Sequence, residues 1–156
     1  MASKLIESDR DRCVEAASGQ CGAASVGRQA SGTHSATNAE YVRFARELAA
    51  TAIEDRLDVL TDVCGTVGDL TQRIRMHRRV ADEESCSPDN YLDDNDLIAL
   101  AAYTQRSIYI VSYGSCWVRV ISGAAVSALP DVQHLSEISF PIDAIVVALL
   151  SMCACG

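Results

Sequence analysis

Residues 96–112 read DLIALAAYTQRSIYIVS, and no other stretch of this chain restricts its fold as tightly. The first part has the composition of a buried helix, and Asp94 or Asn95 stands where an N-cap belongs. The second part is a β-branched and aromatic run of the kind that forms a buried strand. The two are joined by a few polar residues, so a helix must feed straight into a sheet. Downstream, CWVRVIS alternates Trp117, Arg119 and Ile121 against Val118 and Val120, as a strand paired with the first would. EISF and DAIVVALLS are two further strand candidates.

Upstream the pattern is helical. Tyr41, Phe44, Leu48, Ala52, Leu57 and Leu60 recur at three- and four-residue spacing, with a one-residue slip near Ile53. This predicts one helix from about Ala39 to Cys64, capped by Asn38 and ended by Gly65. A second helix is expected from about Val67 to Val80, with Val67, Leu70 and Ile74 on one face. SGTHSATN before the first helix and ADEESCSPDN after the second read as loops. Helices first and strands last make an α+β domain, with helices packed on a small, mostly antiparallel sheet. The 156 residues suit one such domain over 18–150, with an N-terminal arm at 1–17 and a tail at 151–156.

Charge and cysteine usage narrow the function classes. The net charge is −8, which repels phosphate backbones and argues against nucleic acid as a partner. MASKLIESDRDRC has no apolar run of the secretory type, and AIVVALL is too short to span a bilayer. A cytoplasmic chain with no membrane contact is expected, its seven cysteines reduced. Cys153 and Cys155 in the terminal CACG have no second pair for a metal, and Cys86 and Cys116 lack ligand spacing. No metal or other cofactor is therefore expected. CACG also departs from a prenylation box, because Cys155 stands where an aliphatic residue belongs.

Two groups of residues could carry function. Cys21, in ASGQCGAASVG, follows a glycine and opens a run of small residues that can form a helix. Amides at a helix N-terminus favour a thiolate. Catalysis would also require a general base, for which the chain offers His34, His77 and His134. The plainer reading of Cys21 is a small apolar filler. The second group is Arg73, Arg75, Arg78 and Arg79, in RIRMHRR. These form either a solvated helix face near a helix C-terminus or a docking site for a protein partner.

Taken in order, the segments resemble the ovarian tumour (OTU) family of cysteine proteases, which cleave ubiquitin chains. That family opens its catalytic segment with Asp-Gly-x-Cys and a helix, and SGQC, Ser18 to Cys21, stands here. YVRFARELAATAI resembles the helix that follows. YLDDNDLIALAAYTQRSIYIVS resembles the acidic turn, helix and strand that come next. The family closes on a strand bearing a His-Tyr-Asp/Asn motif, and the nearest segment is PIDAIVVALL, with Pro141, Ile142 and Asp143 at the motif. The departures fall on the chemistry. Ser18 replaces the acidic residue, Gly22 replaces a bulky apolar one, and Pro141, which cannot act as a base, replaces the histidine.

The resemblance thus implies an OTU-like fold whose triad has decayed, with Ser18, Pro141 and Asp143 as vestigial positions. Such a domain would serve as a binding or structural subunit of a larger assembly, one form of which is a viral particle. The alternative is an active protease acting on ubiquitin, with Cys21 as nucleophile and His134 or His34 as base. A third reading is an α+β interaction domain with no kinship to the family.

Overall fold

A computed structural model describes residues 19–112, 114–126 and 131–149. The expected arm at 1–17, Ser18, and the tail at 151–156 with Cys153 and Cys155 lie outside the described residues. Among the described residues five α-helices precede a four-stranded sheet. They are α1 (Cys21–Ser31), α2 (Asn38–Asp55), α3 (Leu57–Leu60), α4 (Val67–Val80) and α5 (Asp94–Thr104). The strands are β1 (Ile108–Ser112), β2 (Trp117–Ile121), β3 (Asp131–His134) and β4 (Ile145–Leu149). The class is α+β.

The helix expected over 39–64 is broken at Arg56, whose backbone leaves the helical region. The break absorbs the slip in apolar spacing and lets Leu60 of α3 become fully buried. The caps lie one residue upstream of those expected. Thr37 Oγ1 accepts from Glu40 N at 3.2 Å. Asp93 forms a reciprocal capping box with Asp96, at 2.9 and 3.0 Å. In both cases a residue with extended backbone immediately before the helix aims its side chain at the N3 amide, as an N-cap requires.

Strand order is β3-β2-β1-β4. β2 is antiparallel to β1 and β3, whereas β4 is parallel to β1, so the sheet is mixed. Ile108, Ile110, Ile121, Ile145 and Val147 face the helices and join their buried alanines, valines and isoleucines in the main core. The opposite face carries Tyr109, Val111, Val118 and Val146. EISF covers that face and is not a strand. After a 3₁₀ turn at Leu135–Glu137, Ile138 and Phe140 pack over the sheet, with the Phe140 ring edge-on to Tyr109 at 4.9 Å. Pro141, which has no N–H to offer a ladder, closes the segment. The third strand forms instead from DVQH.

The outer edge of β4 is sealed by a side chain. Gln29 of α1 accepts from Val146 N and donates to Val146 O, each at 2.7 Å, mimicking a strand partner. Gln29→Leu leaves both backbone groups of Val146 unmet and is expected to cost about 1–3 kcal/mol. Amide hydrogen exchange should show faster exchange at Val146 in the variant, and unchanged protection there would contradict this role.

Candidate functional site

The site is built where the first turn of α1 meets α2, α4, α5 and the loop at 81–93. Gly19 takes a positive φ of 86°, and a side chain there would collide with the Tyr91 ring and the Cys86 carbonyl. The tight turn brings Gln20 inside, 3% exposed, with Cys21 beginning the helix. Gln20 Nε2 donates to the carbonyls of Val80 and Glu83, at 3.0 and 3.2 Å. Its Oε1 accepts from Arg46 Nε and Nη2, at 3.1 and 2.7 Å.

Arg46 is fully buried. It continues the polar chain, since Nη1 lies 3.0 Å from His77 Nδ1 and Nη2 lies 3.5 Å from Cys86 Sγ. His77, also fully buried, places Nε2 at 2.8 Å from Asp96 Oδ1. A guanidinium can only donate, so His77 Nδ1 is the acceptor and Nε2–H donates to the carboxylate. The ring is thereby neutral with both nitrogens occupied. Asp96 is completed by Arg73, which reaches both carboxylate oxygens and donates onward to the carbonyls of Asp89 and Tyr91.

The electrostatics follow from burial and partners. Burial works to raise the Asp96 pKa, but the hydrogen bonds from His77 and Arg73, with the Arg73 charge, outweigh it and hold the carboxyl well below the usual range. Burial lowers the Arg46 pKa, against the pull of Cys86 and Asp96. Burial also pushes the Cys86 thiol up, despite the neighbouring guanidinium. No carboxylate touches Arg46 among the described residues; Asp96 balances it through the His77 ring.

This arrangement decides how the histidines stand to Cys21. The half-buried Cys21 is the first residue of α1. His77 sits behind Gln20 and Arg46, and its ring is spent on Arg46 and Asp96. His34 is exposed in the loop after α1, beyond a helix about 16 Å long. His134 ends β3, on the opposite edge of the sheet from β4, with about 14 Å of strand spacing between the two. Its Nδ1 lies 2.6 Å from Ser136 Oγ and its ring is edge-on to Trp117. The structure does not bring His34 or His134 to Cys21.

Pro141 and Asp143 do not face Cys21 either. Both are exposed in the turn before β4. Arg106 ties that turn to the far end of α1, donating to Asp143 O at 2.6 Å and to Gln29 O at 3.2 Å. Gln29 lies about 12 Å along the helix from Cys21. Since Gln29 also leans back toward Ser25 while holding Val146, β4 runs from the C-terminal end of α1 toward its N-terminal end. Residues preceding β4 therefore stand at the wrong end to partner the cysteine.

The four arginines of α4 separate. Arg73 turns inward to Asp96, and Arg78 pairs with Glu54. Arg75 and Arg79 are exposed. Among the described residues no group of three or more His, Cys, Asp or Glu side chains could hold a metal ion, and no helix is long and apolar enough to cross a membrane.

The buried chain Gln20–Arg46–His77–Asp96–Arg73 is what sequence reading missed. The signal was present as polar residues on apolar stripes. Arg46 shares a face with Val42, Ala49 and Ile53, and His77 shares one with Leu70, Ile74 and Ala81. No protein-family model matches the chain, and no curated protein or solved structure was found to match it.

Proposed function

We propose that the chain is a catalytically inactive OTU-like domain that works in the cytoplasm as a binding or structural subunit of a larger assembly, a viral particle being one form. The observation that carries this reading is the state of His77. The one fully buried histidine accepts from Arg46 and donates to Asp96, so it has no nitrogen left to take a proton from a thiol. The order of elements supports the kinship, with Cys21 opening a helix and α5 leading directly into β1, whereas the Pro141–Asp143 turn, tied to the far end of α1, does not support those two positions as remnants of the triad. Gln20 supports the inactive part, since its side chain is committed to holding α1 against α2 and α4.

The test is a ubiquitin probe bearing a thiol-reactive group at its C-terminus, with Cys21→Ala as control. The expected result is no adduct that depends on Cys21. An adduct formed by the native chain and lost in Cys21→Ala would overturn the proposal and assign the chain to active proteases.

A further inference from the structure

Along α4 runs a groove of 870 Å³ bounded by Cys64, Gln72 and the segment at 90–95, with Leu70 and Met76 in its floor. Its charged lining is Asp69, Asp93, Arg73, Arg75 and Arg79. These charges are not equally satisfied. Asp69 and Asp93 are the N3 and N-cap residues of α4 and α5, so each carboxylate is bound to backbone amides and lies against a helix N-terminus carrying partial positive charge. Asp93 also lies 3.7 Å from Arg73. Arg73 is consumed by Asp96. Arg75 and Arg79 remain, exposed on the groove wall, with no carboxylate partner among the described residues. They are one helical turn apart, about 6 Å.

We infer that this groove docks an acidic segment of a protein partner, two of whose carboxylates engage Arg75 and Arg79. The inference rests on the reading of the chain as a binding subunit and names the surface and the chemistry of what it binds. The spacing of the arginines matches alternate side chains of an extended strand or carboxylates four apart on a helix. Guanidinium groups hold carboxylates through paired hydrogen bonds, which gives direction as well as charge. A partner with acidic side chains is favoured over nucleic acid because the rest of the chain is strongly acidic, with net charge −8. A long polyanion crossing that surface meets repulsion, whereas a short acidic segment confined to the groove does not.

The experiment is fluorescence anisotropy with a labelled short peptide alternating Glu and Ser, alongside its Gln/Ser counterpart and a short oligo-dT of similar length. The Glu peptide is expected to bind at least about tenfold more tightly than either, a gap of about 1.4 kcal/mol. Raising salt through the physiological range should weaken it. Arg75→Gln with Arg79→Gln should lower affinity by about tenfold or more, and Arg78→Gln, outside the groove, should stay within about twofold. Both arginines are exposed, and thermal melts confirm that each variant is folded. No binding of the Glu peptide, undiminished binding by the double variant, an equal loss in Arg78→Gln, or tighter binding of oligo-dT would each overturn the assignment. None of these outcomes produces a Cys21–ubiquitin adduct, so failure of the groove and failure of the inactive reading are distinguishable.

Discussion

Replacing Asp96 by alanine is expected to destabilise the domain by about 3–5 kcal/mol, the cost of breaking a buried charged pair by removing one partner. For a chain of this size that lowers the melting temperature by roughly 6–20 °C. Asp96 is fully buried and holds three things at once: the capping box of α5, the His77 ring and the Arg73 guanidinium. Without it, His77 Nε2–H and Arg73 lose their acceptor where water does not reach the ring. A melting curve at neutral pH checks this, and a shift of less than about 1 kcal/mol equivalent would contradict it. The contribution also has a pH signature. Because the folded carboxyl is held below its ordinary value, its stabilisation is complete above the unfolded carboxylate range near about 4. It is lost as pH falls from there toward the depressed folded value. Asp96→Asn should reduce the slope of stability against pH in that acid window.

Gly27→Ala should also destabilise the domain, though by less than the loss of Asp96. Gly27 lies in the middle of α1, and a β-carbon there would sit 2.0 Å from the Tyr41 carbonyl oxygen and 2.7 Å from its carbon. The obstacle is the backbone of α2, so no side-chain rotation relieves it, and the two helices must separate. Overpacking of this kind costs about 1–3 kcal/mol, against which alanine's better helix propensity returns about 0.5–1 kcal/mol. Since α1 also carries Gln20 at its start and Gln29 toward its end, the separation should loosen both the Arg46 contact and the β4 edge. A lower melting temperature together with faster exchange at Val146 is expected. An unchanged or raised melting temperature would show that α1 and α2 do not pack this closely.

Helix faces and the passage from α5 into β1 were legible because local periodicity encodes them. Leu70 and Ile74 are buried as their spacing requires, whereas Val67, expected on the same face, is exposed at the start of α4; Ile108 to Val111 form the buried strand that their side chains favour. What could not be read depended on residues far apart in sequence. The parallel pairing of β4 with β1 follows from sheet order, which no local pattern carries. EISF has strand composition, but Ile138 and Phe140 find their burial by covering a sheet face. Arg73, Arg75, Arg78 and Arg79 look alike in sequence and are sorted only by Asp96 of α5 and Glu54 of α2. The position of Pro141 relative to Cys21 could not be read for the same reason. Its distance from Cys21 is set by the antiparallel run of α1 and β4, which Arg106 and Gln29 make visible. Arg46 and His77 were readable in principle, as polar residues on stripes that are otherwise apolar.

His77 is a structural link with no proton-accepting nitrogen to spare for Cys21. Nitrogen-15 NMR of the histidine rings at neutral pH tests that directly, with His77→Gln to assign the signals. Two inequivalent nitrogens are expected for His77, with the proton on Nε2 and Nδ1 accepting from Arg46. A doubly protonated ring that becomes neutral in Cys21→Ala would reveal an imidazolium paired with the Cys21 thiolate, and would contradict that structural role.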